Sequence, residues 1–133
     1  MTIRVLLADP DEGLLQTYQA FLKRAGLEIR VVTTGESCLT MLDSFAPHVL
    51  VLEPELPDSW GTRILTHLRD NCTGPLPRVI VLTRHEMDLS RYRIHSHHLK
   101  PYSMHHLATG IREAAKTLSE DALPRAANDT HKP

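Results

Sequence analysis

The sequence predicts a single α/β domain: a doubly wound, mainly parallel sheet of five strands with helices on both faces. Three observations predict it. Strand-like and helix-like segments alternate along the first 118 residues. The strand-like runs are short, aliphatic and end at polar residues, as buried strands do. Strands separated by helix-length segments must be joined by crossovers, which makes neighbouring strands parallel. The length of 133 residues suits one hydrophobic core.

The elements follow in order. Residues 3–8 are an aliphatic run that stops at acids, a first strand. Leu14, Leu15, Tyr18, Phe21, Leu22 and Ala25 then recur at helical spacing, and Gly26 is placed to end that helix. Residues 27–32 alternate and are rich in β-branched side chains, a second strand. Thr34 or Ser37 caps a helix carrying Cys38, Leu39, Met41, Leu42 and Phe45, and Pro47 stops it. Residues 48–53 are the most strand-like run of the chain, and a Pro/Gly loop follows over 54–61. Ile64, Leu65 and Leu68 mark a third helix, and residues 78–83 a fourth strand. Residues 84–93 are polar and poorly periodic, a loop with one helical turn. Residues 94–99 form a fifth strand diluted by His95, His97 and His98. A last helix follows, with Met104, Leu107, Ile111, Ala114, Ala115 and Leu118 on one face. The domain therefore spans 1–118, and 119–133, without periodicity, is expected to be a flexible tail.

Composition narrows the function. Hydrophobic residues make up 41% and charged residues 23%, ordinary for a globular domain. A net charge of −1 supplies no field to attract nucleic acid or a membrane surface. No apolar run approaches the ~20 residues a membrane span needs, and the apolar start is too short for a secretory signal. Cys38 and Cys72 are too few for a disulfide framework and are expected to be idle thiols in a reducing, cytoplasmic compartment.

In an open parallel sheet the functional crevice lies beyond the carboxyl ends of the strands. The residues at those ends are Asp9 and Asp11, then Glu53, then Thr83, then Lys100. A lone acid at one strand end carries little information. Acids, a hydroxyl and a lysine at four strand ends, far apart in sequence, form a combination that points to one site.

Four blocks give that combination a family likeness: Val5-Leu6-Leu7-Ala8-Asp9-Pro10-Asp11-Glu12; Pro47 through Gly61, with Glu53, Pro57 and Gly61; Val79-Ile80-Val81-Leu82-Thr83; and Leu99-Lys100-Pro101. Together they resemble the receiver domains of two-component signalling over roughly residues 2–118. The resemblance implies a flavodoxin-like (βα)5 fold with strand order 2-1-3-4-5 and a cis peptide bond before Pro101. It also implies a chemistry. In an intact receiver an aspartate takes a phosphoryl group from a partner's phosphohistidine. A Mg²⁺ ion held by acids neutralises the phosphoryl oxygens, the lysine pairs with them, and the Ser/Thr hydroxyl follows them inward.

This chain departs from that pattern in four places. Glu53 stands where the nucleophilic aspartate belongs. Its extra methylene moves the carboxylate outward, and misplacement on the order of 1 Å can cost ~10²-fold in rate. Its fixed charge enters the space of a phosphoryl group and can partly imitate it, or it simply pairs with Lys100 and holds the loop. Pro10 falls where a metal-binding acid is expected and supplies no ligand. Asp9 matches the other acid and Asp11 comes one place late; both are equally suited to helix capping. The stretch between Thr83 and Lys100 is short, so the family's fourth helix is expected to be truncated or unwound. His97 occupies the place of the switch aromatic.

The resulting expectation is a stand-alone, non-enzymatic signalling domain that acts by protein–protein contact without phosphorylation. Its partner would be a histidine kinase, a regulator or a second copy of itself as a homodimer, bound through residues 84–118. The alternative is a working phosphoacceptor using Glu53 with Asp9, Asp11 and Mg²⁺; any residual metal would draw on Asp9, Asp11, Glu53 and Glu55. No other cofactor is expected. His95, His97, His98, His105 and His106 raise a Zn²⁺ reading, but no Cys or acid is spaced to complete it. They suit solvated edge positions better. Trp60 is placed to cover Glu53, to meet a partner or to pack on the third helix. A small flavodoxin-like enzyme or nucleotide binder is disfavoured because no Gly-rich loop follows the first strand, and no basic patch or helix-turn-helix favours DNA.

Overall fold

The computed structural model describes residues 2–58, 61–70 and 76–118. Within them the elements run β1 (Arg4–Ala8), α1 (Glu12–Arg24), β2 (Glu28–Val32), α2 (Gly35–Ser44), β3 (Val49–Leu52), α3 (Gly61–Asp70), β4 (Arg78–Thr83), β5 (Ser96–Leu99) and α4 (Met104–Leu118). The strands form one parallel sheet in the order β2-β1-β3-β4-β5. The predicted class and strand order are those observed. The expected tail over 119–133, Trp60 and Cys72 lie outside the described residues.

Alternation along each central strand divides the interior into two layers, because successive side chains leave opposite faces of a sheet. Val5, Leu7, Val49, Val51, Ile80 and Leu82 pack with Leu15, Tyr18 and Leu22 of α1 and Leu107, Ile111 and Ala114 of α4. Leu6, Ala8, Leu50, Leu52, Val79 and Val81 pack with Cys38 of α2 and Ile64, Leu65 and Leu68 of α3. These strand residues are nearly all apolar on both faces, which is why their runs read as continuous rather than alternating. Cys38 is fully buried, and burial with the Asp58 charge nearby pushes its thiol up to about 12, so it is held as an unreactive core side chain.

Local chemistry sets the helix ends. Asp11 caps α1, its Oδ1 accepting from the Leu14 amide at 3.0 Å. The helix stops at the turn where Gly26 takes φ +91°. Of the two capping candidates for α2, Thr34 is the cap, accepting from the Ser37 amide at 3.1 Å. A second acceptor comes from far along the chain: Asp58 takes the Gly35 and Glu36 amides at 3.0 and 3.1 Å. The other end of α2 is clamped by Arg4, whose Nε donates to the carbonyls of Phe45 and Ala46 at 3.1 and 2.9 Å. Ala46, next to Pro47, takes φ +49°.

Residues 84–95 contain no helix; a turn at Leu89–Tyr92, closed by a 3.0 Å bond from the Tyr92 amide to the Leu89 carbonyl, is the regular feature there. The truncated or unwound fourth helix is therefore absent altogether. Its place over the sheet is taken by a strap in which Leu89 is buried and Met87, Tyr92 and Ile94 pack on the α3-side layer. The fifth strand is shorter than its sequence suggests and, among the described residues, pairs with β4 alone. Among the described residues no helix is long and apolar enough to cross a membrane.

Candidate functional site

Because the strands are parallel, their carboxyl ends share one edge, and the backbone pairing continues just past that edge. The Glu53 amide donates to the Ala8 carbonyl at 2.9 Å and the Lys100 amide to the Thr83 carbonyl at 2.7 Å. Asp9, Glu53 and Lys100 are thereby brought together. The Lys100 ammonium lies 2.6 Å from Asp9 Oδ2 and 2.9 Å from Glu53 Oε1. The second oxygen of each acid also has a donor: the Asp11 amide bonds Asp9 Oδ1 at 2.9 Å, and the Glu55 amide bonds Glu53 Oε2 at 3.0 Å. Asp9 and Glu53 are buried, 6% and 3% exposed. Burial works against the lysine charge. The hydrogen bonds and negative charges of Asp9 and Glu53 outweigh it and hold the ammonium pKa above its ordinary value.

The Lys100–Pro101 peptide is cis. The turn that follows is tied to α1 by the Tyr18 hydroxyl, which donates to the Tyr102 carbonyl at 3.1 Å. Burial, with smaller contributions from Asp9 and Tyr102 and against the effect of Lys100, raises the Tyr18 pKa. Thr83 is 2% exposed. Its hydroxyl donates to the His85 carbonyl at 2.7 Å, and His97 Nε2 lies at the same distance. With the one hydroxyl proton given to His85, His97 must be the donor, so Nε2 carries the proton.

Two of the sequence-level candidates are placed elsewhere. Asp11 spends its carboxylate on the α1 cap, so of the three acids at the strand ends Asp9 and Glu53 meet the ammonium. Glu55 contributes its amide, and its residue is exposed. Asp58 and Tyr18 take part without having been singled out as site residues from sequence, and Gly61, read there as the end of the Pro/Gly loop, is a third participant. Asp58 ties the loop after β3 to α2, and Tyr18 ties α1 to the turn after Lys100. Gly61 lies so close to that same loop that a Cβ there would sit 1.8 Å from the Pro54 carbonyl oxygen. Only a glycine following a Pro-rich loop hinted at the last of these. The histidines are dispersed. His105 meets Phe21 edge-on at 4.8 Å, His98 stacks on Tyr102 at 4.2 Å, and His97 is engaged with Thr83.

The Mg²⁺ that the resemblance implies needs more than this donor set supplies. Mg²⁺ requires nearly octahedral oxygen ligands at about 2.0–2.1 Å. Pro10 offers no side-chain oxygen, Asp11 is occupied at the helix cap, and the near oxygens of Asp9 and Glu53 are held by an ammonium. Among the described residues no group of three or more His, Cys, Asp or Glu is arranged to hold a metal. With Lys100 in place, the residues present do not fit the ion.

Comparison with known proteins agrees with the fold. The chain is 26% identical over 122 residues to the sensory transduction protein RegX3 of Mycobacterium tuberculosis H37Rv, covering 88% of this chain and 52% of that one. It is 35% identical over 69 residues to the transcriptional regulatory protein TrcR of the same organism, covering 52% and 27% respectively. The chain thus spans about half the length of RegX3 or less of such relatives. A CheY-like receiver domain from Methanospirillum hungatei JF-1 superposes with a TM-score of 0.81 at 20% identity, covering 92% of this chain and 100% of that one. The Francisella response regulator 1452 receiver domain gives 0.78 at 21%, covering 87% and 98%. The family model for the response regulator receiver domain matches residues 5–112, and this chain belongs to that family, a receiver domain of two-component signalling.

Proposed function

We propose that this receiver domain works without phosphorylation, as a module that binds another protein in a state held by its own ion pairs. The observation that carries the reading is the Glu53–Lys100–Asp9 network. A carboxylate able to attack a phosphoryl donor must reach it in line. Glu53 instead has Oε1 on the lysine and Oε2 on the Glu55 amide, and it is 3% exposed. The lysine that would receive the phosphoryl oxygens is already doubly paired. Glu53 is a permanent anion where an acyl phosphate would otherwise be transient.

Several features support contact with a protein as the output. The fourth helix is replaced by the strap, which gives the 84–118 surface its own shape. Leu99, on edge strand β5, is 42% exposed. A groove of about 710 Å³ opens between α1 and the turn after Lys100, with Leu14, Tyr18, Tyr102, Met104 and Arg84 in its lining. A histidine kinase, a regulator or a second copy of the chain would each be a partner of this kind.

Incubation with acetyl phosphate and Mg²⁺, followed by intact mass measurement, tests the reading. The expected result is an unchanged mass. Addition of one phosphoryl group, lost on Glu53→Ala, overturns it and makes the chain a working phosphoacceptor.

A further inference from the structure

We infer that the Lys100 ammonium is the resident cation of this site, filling the position from which a divalent ion would bridge Asp9 and Glu53, so that the folded chain binds no divalent cation there. Lys100 Nζ is a single point within 2.6 Å of one buried carboxylate oxygen and 2.9 Å of another. A small cation bridging the two acids needs that same point, because their other oxygens are turned to the Asp11 and Glu55 amides. The lysine side chain is only 11% exposed, so it occupies the position rather than visiting it.

A divalent ion has two ways in, and both are unfavourable. Entering beside the ammonium places it in contact with a like charge in a poorly solvated pocket. Entering in its place requires Lys100 to give up two short, charge-assisted bonds and leaves the ion with only two near acids. The third carboxylate of a cation site is missing, since Pro10 supplies none and Asp11 caps α1, so a divalent ion gains too little to displace the lysine, while the two acids with water ligands suffice to hold one once the lysine is removed. A lysine serves where a divalent ion does not: it brings one charge and three donors and needs no octahedral shell. The conformation of the site is then set by a charge that belongs to the chain and does not change with the Mg²⁺ concentration. The inference rests on the same three side chains as the proposed function, yet the two can fail separately.

Two measurements on the full chain test it. Mn²⁺, a paramagnetic divalent ion, is titrated into the wild type while the amide signals of Asp11 and Glu55 are followed by NMR. Thermal midpoints of the wild type and Lys100→Met are compared in millimolar Mg²⁺ and in chelator. The wild type should show no selective broadening of those amides and the same midpoint in both buffers. Lys100→Met frees the bridging position, so its lowered midpoint should rise by roughly 5 °C in Mg²⁺. Selective broadening in the wild type, or a Lys100→Met midpoint indifferent to Mg²⁺, overturns the inference. Should Lys100→Met fail to fold in either buffer, the wild-type Mn²⁺ result decides alone. Divalent binding without phosphoryl uptake defeats this inference and leaves the proposed function standing; phosphoryl uptake defeats the proposed function.

Discussion

One methylene separates Glu53 from the aspartate of a working receiver, and its consequences are electrostatic as well as geometric. The longer side chain reaches Lys100 directly, and Asp9 approaches the same ammonium from β1. Removing the shared cation leaves two buried carboxylates facing each other without compensation. Lys100→Met should therefore cost about 3–5 kcal/mol at neutral pH, the usual consequence of breaking a buried ion pair from one side. Equilibrium denaturation measures this, and a loss under about 1 kcal/mol, typical of exposed pairs, would show that the cluster is open to solvent. The pH dependence has a definite sign. The folded-state pKa of Lys100 is raised above 10.5, so its contribution is complete below 10.5 and is lost as pH rises through the higher folded value. The variant lacks that alkaline loss.

Between elements, the loop after β3 is the joint that determines how Glu53 is presented. It is held by the Glu55 amide on Glu53, by Asp58 on the first two amides of α2, and by the close approach of Gly61 to Pro54. A side chain at position 61 cannot be accommodated by rotating a neighbour, because the obstructing atoms are backbone. Gly61→Ala should cost about 1–3 kcal/mol, the range for overpacking, with chemical shift changes at Glu53 and Glu55 as the loop moves. A variant as stable as the wild type with unshifted loop signals would contradict the tight approach. The strap over 84–95 holds its place differently, through Leu89, Met87, Tyr92 and Ile94 and the Arg69 guanidinium 5.7 Å above the Tyr92 ring. Apolar residues at 87, 89 and 92 sustain neither a strand nor a helix period, which is why 84–93 read as a polar loop with one helical turn and Ile94 as the start of the fifth strand.

At the scale of the whole molecule, the edge of the sheet opposite the site carries a second buried polar group. His48 is 1% exposed, and its Nδ1 accepts from the Arg4 amide at 2.9 Å, joining β1 to the start of β3. Burial, aided by the Arg4 charge, pushes its pKa down to about 4 from the ordinary 6.5. The folded chain therefore keeps His48 neutral where the unfolded chain protonates it. Its contribution is complete above pH 6.5 and is lost as pH falls toward 4, an effect of about 3 kcal/mol. Denaturation midpoints across that window should fall for the wild type and fall less for His48→Asn, whose amide oxygen can accept the same bond. Equal slopes for the two proteins would show that His48 is not the group responsible.

The order of elements, the doubly wound sheet and the convergence of Asp9, Glu53, Thr83 and Lys100 at one edge were legible in the sequence. Each follows from local periodicity plus the rule that parallel strands end on the same side. Asp11 and Thr34 were legible as capping candidates for the same local reason, alongside Asp9 and Ser37. What the site does with those residues was decided only in three dimensions. Whether Asp11 joins the lysine or caps a helix, whether Thr83 bonds to His97, and whether a lysine takes a divalent ion's position depend on distances between atoms up to 91 residues apart. Sequence spacing carries residue types and periods, but an ion pair forms or fails over fractions of an ångström that only the packing of the two layers against the sheet determines.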